Sequence, residues 1–485
     1  MRQVSDNELK NRLAFDNPWW EEGNGIDPEV AGYPRRMYFE PFTELVTQTD
    51  VKRAVVLMGP RRVGKTVMIQ HTVQYLLEDG VSPGNIFYVS VDNPLFTALD
   101  LEKILTLYQE IYDHPRRSKG LYVFFDEIQY RKEWEVHLKS LVDSYPGIRF
   151  VVSGSAAAAL KLKSRESGAG RFTDFLLPPL TFAEFLRFRE LEEELYELET
   201  EEAGPPKNIE RLNEEFLDYI NFGGFPEPIL SSTVRGDLRR FVGNDIIDKV
   251  LLRDLPSLYG IQDSQELNQL FSVLTYNTGN EVSLEGLSKA SGVAKNTLKK
   301  YLDYLEAAFL IQRVHRVDKN AKRFKRVTTF KVYLTNPSLR AALFGAIEAD
   351  DVAMGGLVET AVIAQFEHTG LIDGIHYARW GTGEVDLVGI TPGGNVWGAT
   401  EIKWSDKAVN DFNKIGSLMA FAKKANLDRV RVACRSEQAV KTCDGVRVFF
   451  QPVADFAYSL GRLPEKSIQE GLNPRTFKPY QNLEN

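Results

Sequence analysis

A glycine-rich segment that directly follows a short apolar run constrains this chain more than any other feature. The run Arg53–Met58 (RAVVLM) is typical of a buried parallel strand, and it leads into Gly59–Thr66 (GPRRVGKT). That segment has the GxxxxGK[ST] spacing of a phosphate-binding loop, and a helical pattern follows over Val67–Leu77. Strand, loop and helix in this order predict an α/β domain with a phosphate site at the end of the strand.

Each part of this loop has a chemical reason to bind a nucleoside triphosphate. Glycines allow backbone N–H groups to turn toward phosphate oxygens, and the helix N-terminus adds a partial positive charge. Lys65 can reach the β- and γ-phosphates, and the Thr66 hydroxyl can ligate Mg²⁺. The expected nucleotide contacts are Gly59, Pro60, Arg61, Arg62, Val63, Gly64, Lys65 and Thr66.

A second apolar run, Leu121–Phe125 (LYVFF), ends in the acidic pair Asp126-Glu127. An acidic pair at the carboxyl end of a buried strand suits a magnesium-nucleotide site: Asp126 would hold Mg²⁺, and Glu127 would orient or deprotonate the attacking water. The alternative is that both residues only cap the next helix. The phosphate-binding loop upstream favours the first interpretation.

Two further candidates follow a third predicted strand, Arg149–Ser153. Ser155 is the preferred contact for a γ-phosphate, and Ser153 is the alternative. Arg171 can act as an arginine finger, on the nucleotide of its own chain or on that of a neighbouring subunit. A surface salt bridge is an equally open interpretation of Arg171.

The segment Asn280–Leu310 has the pattern of a helix-turn-helix, as in a winged-helix domain. Leu284–Ala290 predicts one helix and Lys295–Phe309 a second, whose apolar residues recur at i, i+3, i+4 and i+7. The opposite face of the second helix is expected to contact DNA through Lys295, Asn296, Lys299 and Lys300. The segment His315–Arg326 adds Arg316, Lys319, Lys322, Arg323, Lys325 and Arg326. This local basic patch indicates DNA; protein contacts or nucleotide sensing stay open.

The last third of the chain predicts a compact α/β unit with a second acidic site. Its expected elements are a helix over Gly356–Phe366, strands over Asp373–Ala378, Gly383–Ile390 and Val396–Trp404, a helix over Asn410–Ala425 and a strand over Arg429–Ala433. Because side chains alternate along a strand, Glu401 and Lys403 point to one face, where Asp386 on the adjoining strand can meet them.

Two carboxylates beside a lysine form a hard-oxygen Mg²⁺ site, to which Glu359 on the first helix can add a ligand. The metal would polarise a phosphodiester, and Lys403 would position water or stabilise charge on phosphorus. The alternative places Glu401 and Lys403 on the exposed face of an amphipathic strand. Apolar neighbours disfavour that alternative, because unpaired buried charge is costly.

Composition excludes several classes of protein. The chain has 485 residues, about three ordinary domains. No apolar run approaches the ~20 residues of a membrane span, and Met1–Gly25 lacks a signal-peptide core, so we expect no membrane contact. The low cysteine count favours a reducing compartment, so we expect a cytoplasmic protein. Two cysteines argue against a disulfide scaffold, and a net charge of −8 excludes a uniformly basic surface.

In combination, these motifs resemble a prokaryotic family of AAA-like ATPases fused to a PD-(D/E)XK nuclease-like domain. The residues that support the resemblance are Gly59–Thr66, FFDEIQ at Phe124–Gln129, SGSA at Ser153–Ala156, GRF at Gly170–Phe172, PLTFAEFL at Pro179–Leu186, GGFPEP at Gly223–Pro228, YLEAAFLI at Tyr304–Ile311, YLTNPSLR at Tyr333–Arg340, GEVDLV at Gly383–Val388 and EIKW at Glu401–Trp404. Their order over residues 35–455 is more specific than any one of them.

The resemblance implies ATP binding and hydrolysis at Lys65, Thr66, Asp126 and Glu127. It also implies a winged-helix middle and a nuclease motif at Glu359, Asp386, Glu401 and Lys403, all acceptable residue types. The expected α/β division is an N-terminal segment (1–39), an AAA-like P-loop parallel-sheet domain (40–186), a helical lid or linker (187–260), a winged-helix domain (261–330), a restriction-endonuclease-like α/β domain (331–455) and a tail (456–485).

Three functional hypotheses follow from the sequence. The first is an ATP-controlled, Mg²⁺-dependent enzyme of DNA processing or of defence against foreign DNA. The second is a non-cleaving ATP switch that binds DNA or a protein partner, and the third is a scaffold whose ATP site is structural. A finger in trans at Arg171 would require a homo-oligomer.

Overall fold

A computed structural model of the chain describes residues 5–115, 118–154, 170–198, 204–322, 329–369 and 372–462. These residues form two compact units, one that ends at Pro178 and one that begins at Pro179. Within the described ranges, no helix is long and apolar enough to cross a membrane.

The first unit is built on a sheet of five parallel strands: β1 (Ala54–Met58), β2 (Ile86–Ser90), β3 (Leu121–Asp126), β4 (Ile148–Gly154) and β5 (Phe172–Leu176). Their spatial order is β2-β3-β4-β1-β5. All five residues of β1 are buried, as its uninterrupted apolar sequence predicts for a central parallel strand. Because parallel strands end at one edge, the loop after Met58 and the acidic pair after Phe125 lie at the same edge of the sheet.

Helices cover both the strand connections and the N-terminal part of the first unit. The α-helices are Asp6–Asp16, Pro28–Ala31, Phe39–Thr47, Lys65–Glu78, Leu101–Ile111 and Trp134–Ser144, and the 3-10 helices are Pro18–Trp20, Pro83–Asn85 and Ile128–Tyr130. The described part of the expected N-terminal segment (1–39) belongs to the first unit. Asn17 exchanges two hydrogen bonds with the backbone of Tyr88 in β2, and Trp19 is buried in the same core.

The second unit contains a mixed sheet of nine strands: β6 (Glu281–Ser283), β7 (Ile311–Val317), β8 (Thr329–Leu334), β9 (Ile375–Trp380), β10 (Gly383–Ile390), β11 (Val396–Ile402), β12 (Arg429–Cys434), β13 (Ala439–Cys443) and β14 (Val446–Pro452). Their order is β13-β14-β12-β11-β10-β9-β7-β8-β6. The expected boundary at residue 330 is therefore wrong, because β8 crosses it and β7 pairs in parallel with β9.

The helices of the second unit surround this sheet. The α-helices are Phe182–Phe188, Glu192–Leu195, Ile209–Phe222, Pro226–Leu230, Ser232–Gly236, Leu255–Tyr259, Ser264–Tyr276, Leu284–Ser291, Lys295–Ala307, Ser338–Phe344, Met354–Phe366, Lys407–Asn410, Gly416–Lys424 and Val453–Gly461. Arg239–Asp248 and Val250–Asp254 are π-helices, and Glu367–Thr369, Ile372–Gly374 and Phe412–Ile415 are 3-10 helices.

Two expected boundaries of this unit move for packing reasons. Helix Phe182–Phe188 starts with a capping box between Thr181 and Glu184 and buries its aromatic side chains in the second unit, so the first unit ends before residue 186. Helix Val453–Gly461 buries Phe456 and Tyr458 in the same core, so the expected tail from 456 begins inside a core helix.

The helix predicted over Asn410–Ala425 is interrupted. The backbone of Asp411 is extended, and its carboxylate accepts a hydrogen bond from the Asn413 amide. Such a side-chain turn competes with helix, so the regular helix starts at Gly416.

Two motifs of the sequence meet at one tight backbone contact in the second unit. Gly224 has a φ of +89°, and a Cβ there would lie 1.5 Å from Asn336 Nδ2. That amide nitrogen donates a 3.0 Å hydrogen bond to the Gly223 carbonyl. The motifs GGFPEP and YLTNPSLR therefore have a structural role, because the Asn336 side chain of the second packs against the glycine backbone of the first and donates a hydrogen bond to it.

Candidate functional site

The phosphate-binding loop of the first unit has the backbone that its glycines predict. Gly64, directly before helix Lys65–Glu78, has a left-handed conformation with φ +98°. A Cβ on Gly59 would lie 2.2 Å from the Leu177 carbonyl oxygen, so only glycine fits there. The buried Arg36 guanidinium holds the loop by donating to the carbonyls of Val63 (2.8 Å) and Pro178 (2.9 Å).

Lys65 folds back over this loop. Its ammonium donates to the carbonyls of Gly59 (3.2 Å) and Pro60 (2.7 Å), and the residue is only 5% exposed. Arg61 donates to the Tyr130 hydroxyl at 3.1 Å. The positive charge of Lys65 is thus concentrated at the carboxyl edge of β1, at the loop that the sequence assigns to phosphates.

The buried Asp126 carboxylate accepts hydrogen bonds from three hydroxyl groups. Its Oδ2 accepts hydrogen bonds from Thr66 (2.7 Å) and from Tyr88 (3.0 Å), and its Oδ1 accepts one from Ser153. Burial first, and the Asp126 charge second, raise the pKa of Tyr88 well above its usual value. Thr66 and Asp126 present a hydroxyl and a carboxylate, the oxygen ligands that Mg²⁺ prefers, so the pair fits a magnesium-nucleotide.

Glu127 follows Asp126 in a left-handed conformation with φ +55°. Its carboxylate accepts a hydrogen bond from Gln129, and its backbone N–H donates to Ser153 Oγ at 3.3 Å. Burial raises the pKa of Glu127, which Lys65 partly opposes. A half-buried carboxylate of raised basicity beside the phosphate loop is suited to accept a proton from water.

The two remaining candidates of the first unit have different outcomes. Ser155 lies outside the described residues, whereas the alternative, Ser153, contacts both acidic residues. Arg171 forms an ion pair with Asp143, and its carbonyl accepts from Ala54 N at the start of β1. That position is about 13 Å along the strand from the phosphate loop, so a finger on its own nucleotide conflicts with the fold.

In the second unit, a β-bulge aims the central acid of the second site. The register between β9 and β10 shifts between Val385 and Val388, which places Asp386 at the irregularity. Asp386 Oδ2 accepts a 2.8 Å hydrogen bond from Ile402 N, and the pairing of β10 with β11 sets Asp386 opposite Glu401. The strand predicted over Gly383–Ile390 is present with those bounds.

The structure brings all four predicted residues of this site together with a second lysine and a further glutamate. We name the group the carboxylate–lysine cluster: Lys331, Glu359, Glu384, Asp386, Glu401 and Lys403. The ammonium of Lys403 lies 2.8 Å from Glu401 and 3.5 Å from Asp386. The ammonium of Lys331 lies 3.0 Å from Glu359, 2.9 Å from Glu384 and 3.8 Å from Asp386.

The pKa values in this cluster are shifted because several carboxyl groups are buried close to one another. Burial first, and the Asp386 charge second, raise the pKa of Glu359 to about 7 and that of Glu401 to about 8. Burial alone lowers the pKa of Lys331, but Tyr333 and the neighbouring carboxylates more than offset it, so the ammonium stays charged. The net negative charge of the cluster is therefore only partly compensated.

The fit of this cluster to a divalent metal depends on the arrangement and chemistry of its side chains. Within the described ranges, no group of three or more His, Cys, Asp or Glu side chains has an arrangement that could hold a metal ion. At this site the arrangement is missing because the acidic side chains are placed around the lysine ammonium groups. Two observations favour the metal: the ligands are hard oxygens, and Glu401 Oε2 is buried without a hydrogen-bond partner among described residues. Asp386 and Glu401 fit in chemical type and charge.

Sequence reasoning missed Tyr88, Lys331, Tyr333 and Glu384. Lys331 and Tyr333 alternate with apolar residues in β8, so they share one face, and Tyr333 donates to Glu359 at 3.1 Å. A lysine inside an apolar strand is a detectable signal, because a buried ammonium requires an acidic partner.

The predicted DNA-contacting residues are on an exposed helix face. Helix Lys295–Ala307 buries Leu298, Tyr301, Leu302 and Leu305, and Lys295, Asn296, Lys299 and Lys300 are exposed. Lys295 lies 3.8 Å from Glu285. In the basic segment, Arg316 donates to the Arg379 carbonyl, while Arg323, Lys325 and Arg326 lie outside the described residues.

Comparison with known proteins supports part of this picture. Residues 51–186 match the AAA domain family, and residues 213–350 match a family described as a domain of unknown function. The first match contains Lys65, Thr66, Asp126 and Glu127, so the first unit contains an AAA-like P-loop ATPase domain.

Two relatives and one solved structure are similar to larger parts of the chain. An uncharacterized protein of Haemophilus influenzae is 25% identical over 62% of this chain and 72% of its own length. An uncharacterized protein of Methanocaldococcus jannaschii is 24% identical over 65% of this chain and 68% of its own. The match to the structure of the replication initiator DnaA bound to AMPPCP and single-stranded DNA covers 58% of this chain and 93% of the DnaA chain, at 12% identity and a TM-score of 0.29.

The raised carboxyl pKa values predict how stability changes with pH. A carboxyl whose folded pKa lies above its usual 4.5 stabilises the fold below that pH, and this contribution is lost as pH rises through about 8 for Glu401. In chelator, Glu401→Gln should reduce the fall in melting temperature between pH 5.5 and 8.5 by at least about 3 °C. Thermal unfolding measures this, with exposed Glu437→Gln as control. An identical fall in wild type and Glu401→Gln would contradict the charge imbalance.

Proposed function

We propose that this protein binds and hydrolyses ATP and that its second unit is a metal-dependent nuclease-like domain that acts on DNA under ATP control. The observation that supports this best is the carboxylate–lysine cluster, in which Asp386, Glu401 and Lys403 meet beside Glu359. The AAA-like ATPase domain in the same chain supports the nucleotide dependence.

ATP hydrolysis would use the first unit. Lys65 would exchange its carbonyl contacts for the β- and γ-phosphates, and Thr66 and Asp126 would hold the Mg²⁺ that accompanies the nucleotide. Glu127 would orient water and accept its proton, as its raised pKa favours. Ser153, which contacts both acidic residues, would transmit the presence of the γ-phosphate.

The ATPase mechanism predicts opposite effects on binding and turnover. Lys65→Ala should abolish tight nucleotide binding, because the principal phosphate charge is lost. Glu127→Gln should bind ATP normally but hydrolyse it at least about a hundredfold more slowly. Nucleotide fluorescence titration and phosphate release measure these properties, with exposed Lys52→Ala as control. Wild-type turnover by Glu127→Gln would contradict the assignment, and binding without turnover in wild type would favour a structural ATP site.

DNA hydrolysis would use the second unit. Water would add to phosphorus as one P–O bond of the DNA backbone breaks, and the leaving oxygen would take up a proton. Lys403 lies beside Asp386 and Glu401, where its ammonium would position the water and stabilise charge on the phosphoryl oxygens. Mg²⁺, when held by Asp386 and Glu401, supplies a Lewis acid that polarises the scissile phosphodiester.

The nuclease proposal predicts cleavage that depends on Asp386. Asp386→Asn should reduce Mg²⁺- or Mn²⁺-dependent cleavage at least about a hundredfold, since even the outer partners of metal ligands change affinity 10–100-fold. Gel analysis of linear, circular and single-stranded DNA, with and without ATP, measures cleavage. Asp444→Asn, an exposed aspartate of the same unit, is the control. Cleavage that persists in Asp386→Asn would contradict this site.

DNA binding is proposed for the exposed lysines of helix Lys295–Ala307. The combination of three helices with three antiparallel strands supports a winged-helix domain. In this segment β8 pairs antiparallel with β6 and β7, and the helices are Ser264–Tyr276, Leu284–Ser291 and Lys295–Ala307. The face with Lys299 and Lys300 is free of the apolar core, so it is available to phosphates.

This DNA-binding proposal predicts a change in salt dependence. Replacing Lys299 and Lys300 by alanine should weaken DNA binding and reduce the slope of log K against log salt by about 0.9 for each lost phosphate contact. Fluorescence anisotropy over a range of salt measures the slope, with exposed Lys414→Ala as control. An unchanged slope would exclude this face.

A non-cleaving ATP switch is the second candidate. It is favoured by the two lysines that already hold the acidic side chains of the cluster. In that case Asp386→Asn would keep full DNA or partner binding, and only Lys65→Ala would lose it. Arg171, which is remote from its own phosphate loop, would act in trans in a homo-oligomer.

A further inference from the structure

We infer that Lys331 takes the place of a second metal ion, so that the carboxylate–lysine cluster binds one divalent cation and not two. This inference rests on the proposed nuclease function and specifies its metal stoichiometry. Lys331 comes from β8, far in sequence from the other residues of the cluster, and nothing in the nuclease motif identifies it.

The contacts of Lys331 resemble those of a bound cation. Its ammonium lies 3.0 Å from Glu359, 2.9 Å from Glu384 and 3.8 Å from Asp386, and its side chain is 4% exposed. Three carboxylates from a helix and from one strand thus converge on one positive charge. Tyr333, two residues further along β8, donates to the same oxygen of Glu359 and fixes it there.

The other half of the cluster is differently arranged. Lys403 is 40% exposed and contacts only one oxygen of Glu401. Glu401 Oε2 is buried, and among the described residues it has no hydrogen-bond partner. A divalent cation would interact most favourably with this buried carboxylate oxygen next to Asp386, because the oxygen has no hydrogen bond to a described residue that the cation would have to replace.

Charge balance determines how many ions fit. Because carboxyl groups bind a cation in their ionised form, the count applies to four ionised carboxylates. Glu359, Glu384, Asp386 and Glu401 then face two ammonium groups (Lys331 and Lys403), which leaves two negative charges. One divalent cation neutralises them, and a second would leave a buried excess of positive charge, which is costly. At the rim, Arg379 contacts both Glu281 (3.5 Å) and Glu384 (3.4 Å), and Arg379 and Glu281 together add no net charge.

Removal of the Lys331 charge should therefore open a second cation site. We expect calorimetric titration of nucleotide-free, full-length protein with Mn²⁺ to give one cluster ion in wild type. In Lys331→Met we expect either two ions or at least a tenfold gain in affinity for the first. Glu401→Gln protein is the reference that subtracts Mn²⁺ bound elsewhere, including near Thr66.

Three further proteins make the test selective. Lys331→Arg keeps the charge and should retain one ion, even if Lys331→Met folds poorly. Lys423→Met removes an exposed lysine from an ion pair with Asp444 and should leave Mn²⁺ binding unchanged. Thermal unfolding gives a second readout: Mn²⁺ should raise the melting temperature of Lys331→Met more than that of wild type.

The outcomes separate this inference from the function on which it rests. If wild type binds no Mn²⁺ that Glu401→Gln loses, the proposed metal site fails. If wild type binds one such ion and Lys331→Met binds one with unchanged affinity, or if wild type binds two, the inference about Lys331 alone is overturned.

Discussion

The ion pairs of Lys331 are the interaction on which the carboxylate–lysine cluster of the second unit depends. Taking carboxylates out of water is expensive, and Glu359 and Asp386 are tolerable together only because an ammonium lies between them. The same compensation is incomplete at Glu401, whose pKa is raised to about 8 by burial and by Asp386. An excess of negative charge in a hard-oxygen environment is the physical basis for the divalent cation that we propose here.

Sheet continuity explains why this compensation is possible. β7 pairs in parallel with β9, so the strands that follow the helix-turn-helix segment extend the sheet that contains Asp386 and Glu401. Lys331 and Tyr333 reach Glu359 from β8 as a result. In the first unit, too, a side chain on a neighbouring strand contacts the central acid: the Tyr88 hydroxyl on β2 donates to Asp126 on β3, which also accepts a hydrogen bond from Thr66.

The sequence was most informative where chemistry is local. The loop Gly59–Thr66, the acidic pair after β3 and the strand Gly383–Ile390 follow from short patterns whose meaning depends little on distant residues. The acidic partners of Lys331, the contact of Tyr88 with Asp126 and the bulge at Asp386 could not be predicted, because they depend on which strands become neighbours. Arg171 shows the same limit: its position at the far edge of the sheet depends on the pairing of β5 with β1. Domain limits near 330 and 455 failed because long-range packing decides them.

The most direct test of the account is to locate Mn²⁺ by anomalous scattering in crystals of the full-length protein at neutral pH. We predict one peak in the cluster, within bonding distance of Asp386 and Glu401, with the Lys331 ammonium still between Glu359 and Glu384. Absence of any peak there, or a peak at the position of a displaced Lys331 ammonium, would contradict it.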